Sequence, residues 1–135
     1  MNAIFVDTSG FAALENGNDA NHSLAIAFQR QVADQRLRLL TSNFVLDETY
    51  TWLRVTLSHM RAVSFGASIQ HSKVVEVVYI TPDLEREAWE MFARYGDKDF
   101  SYTDCTSFAL MQHISLDTAF AFDRHFSQFG LRVLP

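Results

Sequence analysis

The chain has 135 residues, nearly half of them apolar, a net charge of −5 and one cysteine. That length suits a single domain spanning 1–135 with a substantial core, and twelve dispersed phenylalanines exclude intrinsic disorder. Cys105 cannot form an internal disulfide and has no Cys or His neighbour at zinc-finger spacing, so it reads as a helix packing residue.

In chain order, the apolar run Ala3 to Val6 reads as a buried parallel strand. Thr8 or Ser9 is placed to cap a short helix through about Leu14, and the polar stretch Glu15 to Asn21 reads as a loop. Leu24, Ala27, Phe28, Gln31 and Val32 fall at helical spacing and predict a helix ending near Gln35. Leu37 to Thr41 reads as a second strand. Ser42 or Asn43 opens the next helix, where Val45, Thr49, Trp52, Leu53 and Leu57 keep the core period and Glu48 lies in the second turn. A helix from about Ala62 to His71 precedes the β-branched run Val74 to Ile80, a third strand. Thr81 fits an N-cap with Pro82 at the first helical position, and Leu84, Ala88, Met91, Phe92 and Tyr95 stripe a helix closed by Gly96. After DKDFS, a helix runs from about Tyr102 to His113, Ala119 to Phe122 forms a fourth strand, and Leu131 to Leu134 a short last one. This alternation predicts a three-layer α/β/α sandwich with a mostly parallel central sheet and right-handed crossovers. No apolar run approaches the roughly 18 residues of a membrane-spanning helix. The opening MNAIFVDTSG lacks the pattern of a signal peptide, so a cytoplasmic protein with no membrane partner is expected.

Four acidic residues stand where an apolar run meets a helix or turn: Asp7 after AIFV, Glu48 in NFVLDETY, Asp104 in FSYTDCTSFAL and Asp123 in AFAFDRHF. Open parallel sheets build their sites beyond the carboxyl ends of the strands, which is where Asp7 falls. Carboxylates gathered in one cleft repel one another and hold raised pKa values unless cations neutralise them, so the economical content is Mg²⁺ or Mn²⁺. The leading reading is a metal-dependent nuclease. The net negative charge opposes it, because non-specific nucleic-acid affinity comes mainly from Lys and Arg. A bound metal and a local basic rim drawn from Arg54, Arg61, Arg94, Lys98 and Arg124 would offset that charge.

The chain resembles the PIN domain family and, within it, the VapC-like ribonuclease toxins, over its whole length. AIFVDTSGF is similar to the family's opening strand with the first acid at Asp7, and VLDETYTWL to the helix bearing the second at Glu48. DKDFSYTDCTSFALM matches the segment of the third acid, Asp104, and FAFDRHF the terminal strand with Asp123. A Ser or Thr is common two residues before that last acid, where this chain has Ala121. The resemblance implies that Asp7, Asp104 and Asp123 ligate one or two Mg²⁺ (or Mn²⁺) ions, while Glu48 binds more peripherally or positions the attacking water. It also implies an endoribonuclease acting on RNA, a small antitoxin protein as partner and a homodimer.

Asp47 and Glu48 are adjacent, and the register of the resemblance implies Glu48 as the site residue; Val45, Thr49 and Trp52 bracket an inward face nearer to Glu48, in keeping with a solvated Asp47. Ser9 and Ser107 are candidates to hydrogen-bond the carboxylates and Thr103 to cap its helix, while Asp99 reads first as a loop or capping acid and second as an additional metal ligand. Arg124 and His125 read equally as phosphate contacts or as a solvated pair. His22, His59, His71 and His113 show no ligand spacing, and the aromatic stripes read as core with no RNA contact. The apolar stripe from Leu24 to Val32 fits either the core or an interface. The alternative function is a catalytically silent RNA- or protein-binding module. A haloacid-dehalogenase-like phosphotransferase with Asp7 as nucleophile would want a second Asp where Ser9 stands.

Overall fold

The structure, a computed structural model, describes residues 3–135; the first two residues of the expected 1–135 unit lie outside the described residues. Five strands, β1 (Ala3–Val6), β2 (Arg38–Ser42), β3 (Val75–Val78), β4 (Thr118–Phe120) and β5 (Arg132–Leu134), pair in parallel in the order β3-β2-β1-β4-β5. Among the described residues seven helices flank the sheet: α1 (Thr8–Glu15), α2 (His22–Asp34), α3 (Asn43–Thr56), α4 (His59–His71), α5 (Pro82–Arg94), α6 (Tyr102–His113) and α7 (His125–Gln128). This is the expected three-layer α/β/α arrangement. No helix among the described residues is long and apolar enough to cross a membrane.

The strand order reverses direction at β1, which has β2 on one side and β4 on the other. A switch point of this kind opens a crevice at the carboxyl ends of β1 and β4, because the chain leaves the two strands toward opposite faces. The crevice is narrow at its floor. Residue Gly10 in α1 sits so close to β4 that a Cβ there would stand 2.8 Å from the Phe120 carbonyl oxygen. Glycine is the residue that lets the helix approach the strand backbone this closely.

The core forms on both sides of β1. Phe5, Phe108, Phe120 and Phe126 are fully buried, each contributing about 2–3 kcal/mol by area removed from water. Residues 104–111 of α6 are all buried, the pattern of a central helix rather than an amphipathic one. Cys105 belongs to that stretch, and its burial together with the Asp104 charge pushes the thiol up to about 11. It is a packing residue, as its isolation in the sequence indicates.

Several boundaries differ from the sequence expectation, each for a local reason. Helix α4 begins at His59 rather than Ala62 because the Ser58 hydroxyl accepts from Arg61 N at 3.1 Å, so the cap lies earlier. β3 stops at Val78 instead of Ile80, because the Ile80 amide leaves the sheet and donates to Asn43 Oδ1 at 2.8 Å. Tyr95, not Gly96, closes α5, its amide donating to Met91 O. On α2 the buried stripe is Ala25, Phe28 and Val32, while Leu24 is 56% exposed and Ala27 and Gln31 are also exposed. The inward direction is therefore one residue away from the expected stripe at its start, and Phe28 anchors it at 4.5 Å from the Phe120 ring.

Candidate active site

The first residue after β1 is Asp7, which caps α1: Ser9 N donates to Asp7 Oδ2 at 3.1 Å and the Ser9 hydroxyl donates to the same oxygen at 2.7 Å. Ser9 Oγ also accepts from Phe122 N at 3.0 Å, and Asp7 N donates to Phe120 O at 3.1 Å. One short network thus ties the end of β1 to the end of β4 and sets Asp7 beside Asp123. Ala121 is buried and offers no hydroxyl, and Ser9 supplies a bond to the adjacent backbone from the neighbouring strand end instead.

Asp104 is held from two directions. Ser101 and Asp104 form a reciprocal capping box at the start of α6, with Asp104 N donating to Ser101 Oγ at 2.9 Å and Ser101 N donating to Asp104 Oδ2 at 3.0 Å. The Nδ1 atom of His125 lies 2.8 Å from that same Oδ2. Thr103, a candidate cap by sequence, instead has its carbonyl accepting from the Thr106 and Ser107 hydroxyls at 2.7 and 3.1 Å. Ser107 is therefore not a carboxylate partner: it is fully buried and bonded back into its own helix.

His125 was legible only as one of a solvated or phosphate-contacting pair, and the structure separates the two residues. Asp123 Oδ1 accepts from His125 N at 3.0 Å, an Asx turn that starts α7 and swings the imidazole back toward Asp104. Its ring meets Phe100 edge-on at 5.9 Å, and the residue's side chain is only 24% exposed. Arg124 points away into a long 3.8 Å contact with Asp99, both exposed, which places Asp99 outside the cluster. The signal that would have found His125 is the Asp-x-His spacing, in which the acid seeds the turn that returns the ring.

Glu48 is partly buried on α3 and Asp47 is exposed, the assignment that the helical period indicates. A cleft of about 350 Å³ is lined by Asp7, Thr8, Ser9, Ala12, Asp19, Glu48, Trp52, Phe122 and Asp123. Asp104, Asp123 and His125 each offer a ligand atom, and these atoms lie within 4.8 Å of one another. The structure thus brings Asp7, Glu48 and Asp123 to one cleft and Asp104, Asp123 and His125 to one cluster, with Asp123 common to both.

Electrostatics binds these groups into a unit. Burial pushes Asp7 up to about 8, the Asp123 and Asp104 charges push the same way, and the Ser9 hydrogen bonds work against them. Burial also raises Asp104, with Asp123 adding to it and Ser101 and His125 opposing. Glu48 is raised by burial first, the Thr8 hydroxyl opposes, and Asp104 and Asp123 push it further up. Carboxylates whose ionised forms are penalised this way fit a hard divalent cation, which would replace lost hydration with oxygen ligands and cancel their mutual repulsion. The donor set of carboxylate oxygens with one nearby imidazole suits Mg²⁺ or Mn²⁺.

The expected basic rim does not gather at this cleft. Arg54 lines a separate cavity between α3 and α4, Arg61 donates to the Glu15 carbonyl, Arg94 sits 5.9 Å from the Tyr95 ring centre and Lys98 pairs with Asp97 at 3.2 Å. Arg61, Arg94 and Lys98 thus each have a partner away from the cleft, and Arg54 faces the other cavity. His22, for its part, is used structurally, its Nδ1 lying 2.7 Å from Ala13 O.

Comparison with known proteins accords with this geometry. The PIN domain family matches residues 4–131. The 23S rRNA-specific endonuclease VapC20 of Mycobacterium tuberculosis is 44% identical over 127 residues, covering 94% of each chain. A VapC ribonuclease of Archaeoglobus fulgidus is 31% identical over 127 residues, 93% of this chain and 80% of that protein. The crystal structure of Mycobacterium tuberculosis VapC20, described as a sarcin-ricin loop cleaving toxin, superposes with a TM-score of 0.87 at 41% identity, covering 98% of this chain and 99% of that one. FitAcB from Neisseria gonorrhoeae shares the fold with a TM-score of 0.71 at 13% identity, covering 98% and 96%. The chain belongs to the PIN domain family and, within it, to the VapC-like toxin ribonucleases.

Proposed function

We propose that this chain is a divalent-cation-dependent endoribonuclease, the toxin of a toxin–antitoxin pair, whose single domain spans 1–135. The observation that carries the reading is the meeting of Asp7, Glu48, Asp104 and Asp123 at the switch point of the sheet, coupled closely enough that burial and mutual repulsion raise three of them. Asp7, Asp104 and Asp123 would hold Mg²⁺ or Mn²⁺. A bound ion of this kind acidifies water and stabilises charge on the phosphate and the leaving oxygen, so no covalent intermediate is needed.

The chain's own residues do the rest. Ser101 N and His125 Nδ1 converge on Asp104 Oδ2, which leaves Oδ1 as that carboxylate's oxygen for a ligand. Ser9 fixes Asp7 Oδ2 in the same manner. Such supporting bonds keep ligands oriented and commonly contribute 10–100-fold in metal affinity or activity. Glu48, partly buried with its pKa raised, orients the attacking water and accepts its proton. The similarity to VapC20 supports 23S rRNA as the RNA acted on. A small antitoxin protein would restrain the cleft, and the working form would be a homodimer.

The test is incubation of purified protein with total RNA and with 23S rRNA in Mg²⁺ or Mn²⁺, against EDTA and an Asp104→Asn control, with ends mapped by primer extension. Discrete 23S fragments that vanish in both controls are expected. Absence of cleavage with every divalent metal, on free RNA and on ribosomes, would overturn the reading.

A further inference from the structure

We propose that Trp52 is a nucleobase-stacking platform in the cleft, holding a base of the RNA beside the phosphate under attack. The inference deepens the endoribonuclease reading and rests on it. Trp52 follows Glu48 by one helical turn on α3, so the two side chains share a face at a separation on the order of 6 Å. That is comparable with the distance from a nucleotide's phosphate to its own base. Trp52 lines the same cleft as Asp7, Glu48, Phe122 and Asp123.

The competing role for Trp52 is packing alone, since it does rest partly against the core. Three observations favour a ligand on its free face. It is only partly buried, although a tryptophan used purely for packing gains most when covered. It pairs with no other aromatic ring among the described residues, whereas Phe122 is engaged by Phe120 at 5.5 Å and Trp89 by Phe92 at 6.0 Å. Its indole N–H has no protein acceptor among the described hydrogen bonds, and since no buried side-chain donor among the described residues lacks a partner, it reaches solvent and is open to a ligand.

Charge supplies the reason such a platform is needed. The chain carries −5, and the cleft is lined by Asp7, Asp19, Glu48 and Asp123 with no Lys or Arg among its lining residues, so phosphate contacts within it supply little of the usual affinity. Stacking is indifferent to that deficit, because every base has a π-face and the contact involves no ion pair. A protein segment occupying the cleft could also cover the ring; the adjoining phosphodiester chemistry favours a nucleotide.

Two measurements test this. In cleavage kinetics, Trp52→Ala should raise KM by roughly 5- to 100-fold with kcat nearly kept, and Trp52→Phe should recover most of the loss. In a Trp89→Phe, Asp104→Asn protein, Trp52 is the remaining tryptophan of two, and its fluorescence should be quenched by a short oligoadenylate but not by an abasic oligomer of the same length. Unchanged KM in Trp52→Ala, or equal response to the abasic oligomer, would overturn the platform while leaving the nuclease reading standing. Quenching confined to a protein ligand would overturn it in favour of a partner contact. Wild-type protein that neither cleaves RNA nor shows base-dependent quenching would remove both readings together.

Discussion

Helix α3 separates two concavities of opposite character. On one flank Glu48 and Trp52 join Asp7 and Asp123 in a cleft of about 350 Å³; on the other, Tyr50, Thr51 and Arg54 face Ala62, Val63 and Gly66 of α4 around a larger cavity of about 450 Å³. The larger hollow has walls that are mostly apolar, one arginine and no carboxylate. The smaller one lies at the sheet's switch point and contains carboxyl groups raised by burial and then by one another's charge. Of these two hollows the smaller one has the chemistry, and a third of about 690 Å³ lies away from both beside α5 and α6, so volume does not locate the site: reactivity requires coupled charges rather than space.

The sharpest break in that contrast is Asp104→Asn. Asparagine keeps an oxygen for the Ser101 amide, so the capping box survives in part and circular dichroism should be unchanged, while a ligand charge is lost. Cleavage should fall at least about 100-fold. Activity equal to wild type would dismiss Asp104 from the site.

A matched pair of glycines, one on each side, measures how tightly the two hollows are built. Gly10→Ala puts a Cβ 2.8 Å from the Phe120 carbonyl, a backbone atom that cannot move aside, so α1 and the adjoining Asp7 must shift. A stability loss of about 1–3 kcal/mol is expected, with reduced cleavage. Gly66→Ala meets the edge of the Tyr50 ring at 3.3 Å, a side chain that can turn, and an interior helical alanine is favoured over glycine by up to about 1 kcal/mol. Thermal melts should show a clear drop for the first and little change or a gain for the second. Equal losses would mean that the acidic flank is no more constrained than the apolar one.

Proton linkage separates the flanks next. Asp7 is raised from 3.8 to about 8, chiefly by burial and then by Asp123, so between those values the folded chain holds a proton that the unfolded chain releases. This contribution to stability is full below the lower value and is lost as pH rises toward the upper one. Metal-free protein should therefore lose up to about 3 kcal/mol between pH 6 and 8, read as a melting temperature falling by several degrees. Asp7→Asn should flatten the slope, and Mg²⁺ should reduce it by favouring the ionised cleft. An identical slope in wild type and Asp7→Asn would assign the effect elsewhere.

How much of this was readable from residues alone varies with the range of the interactions involved. The strand–helix order and the acids at strand ends follow from periodicity and capping, which act within a few residues; Thr81 and Pro82 mark α5 in this way. Glu48 was separable from Asp47 mainly by the register of the family resemblance, with helical period in support, and its partial burial beside an exposed Asp47 agrees. His125 and Ser107 were not readable: one depends on an Asx turn that brings it to a carboxylate 21 positions earlier in sequence, the other on a choice between its own helix and the cleft. The basic rim failed as an expectation because a surface cation is placed by whatever acceptor lies nearest, as Arg61 is by the Glu15 carbonyl. Trp52 shows the converse: its spacing fits the core stripe, and only the cleft beside it reveals a second use.

The smallest expected effect concerns Arg54, the one cation of the larger cavity. If the basic rim worked by long-range attraction, removing Arg54 would weaken RNA association wherever the side chain sat, since exposed charges act over a Debye length of about 8 Å at physiological salt. If the acidic cleft holds its substrate through metal and stacking, Arg54 on the opposite flank of α3 contributes little. Arg54→Ala should then change KM by less than about twofold at physiological salt, with a slightly larger change at low salt where screening is weak. A loss of tenfold or more would mean that RNA crosses the helix and uses both hollows, and the division between a chemical flank and an apolar one would have to be abandoned.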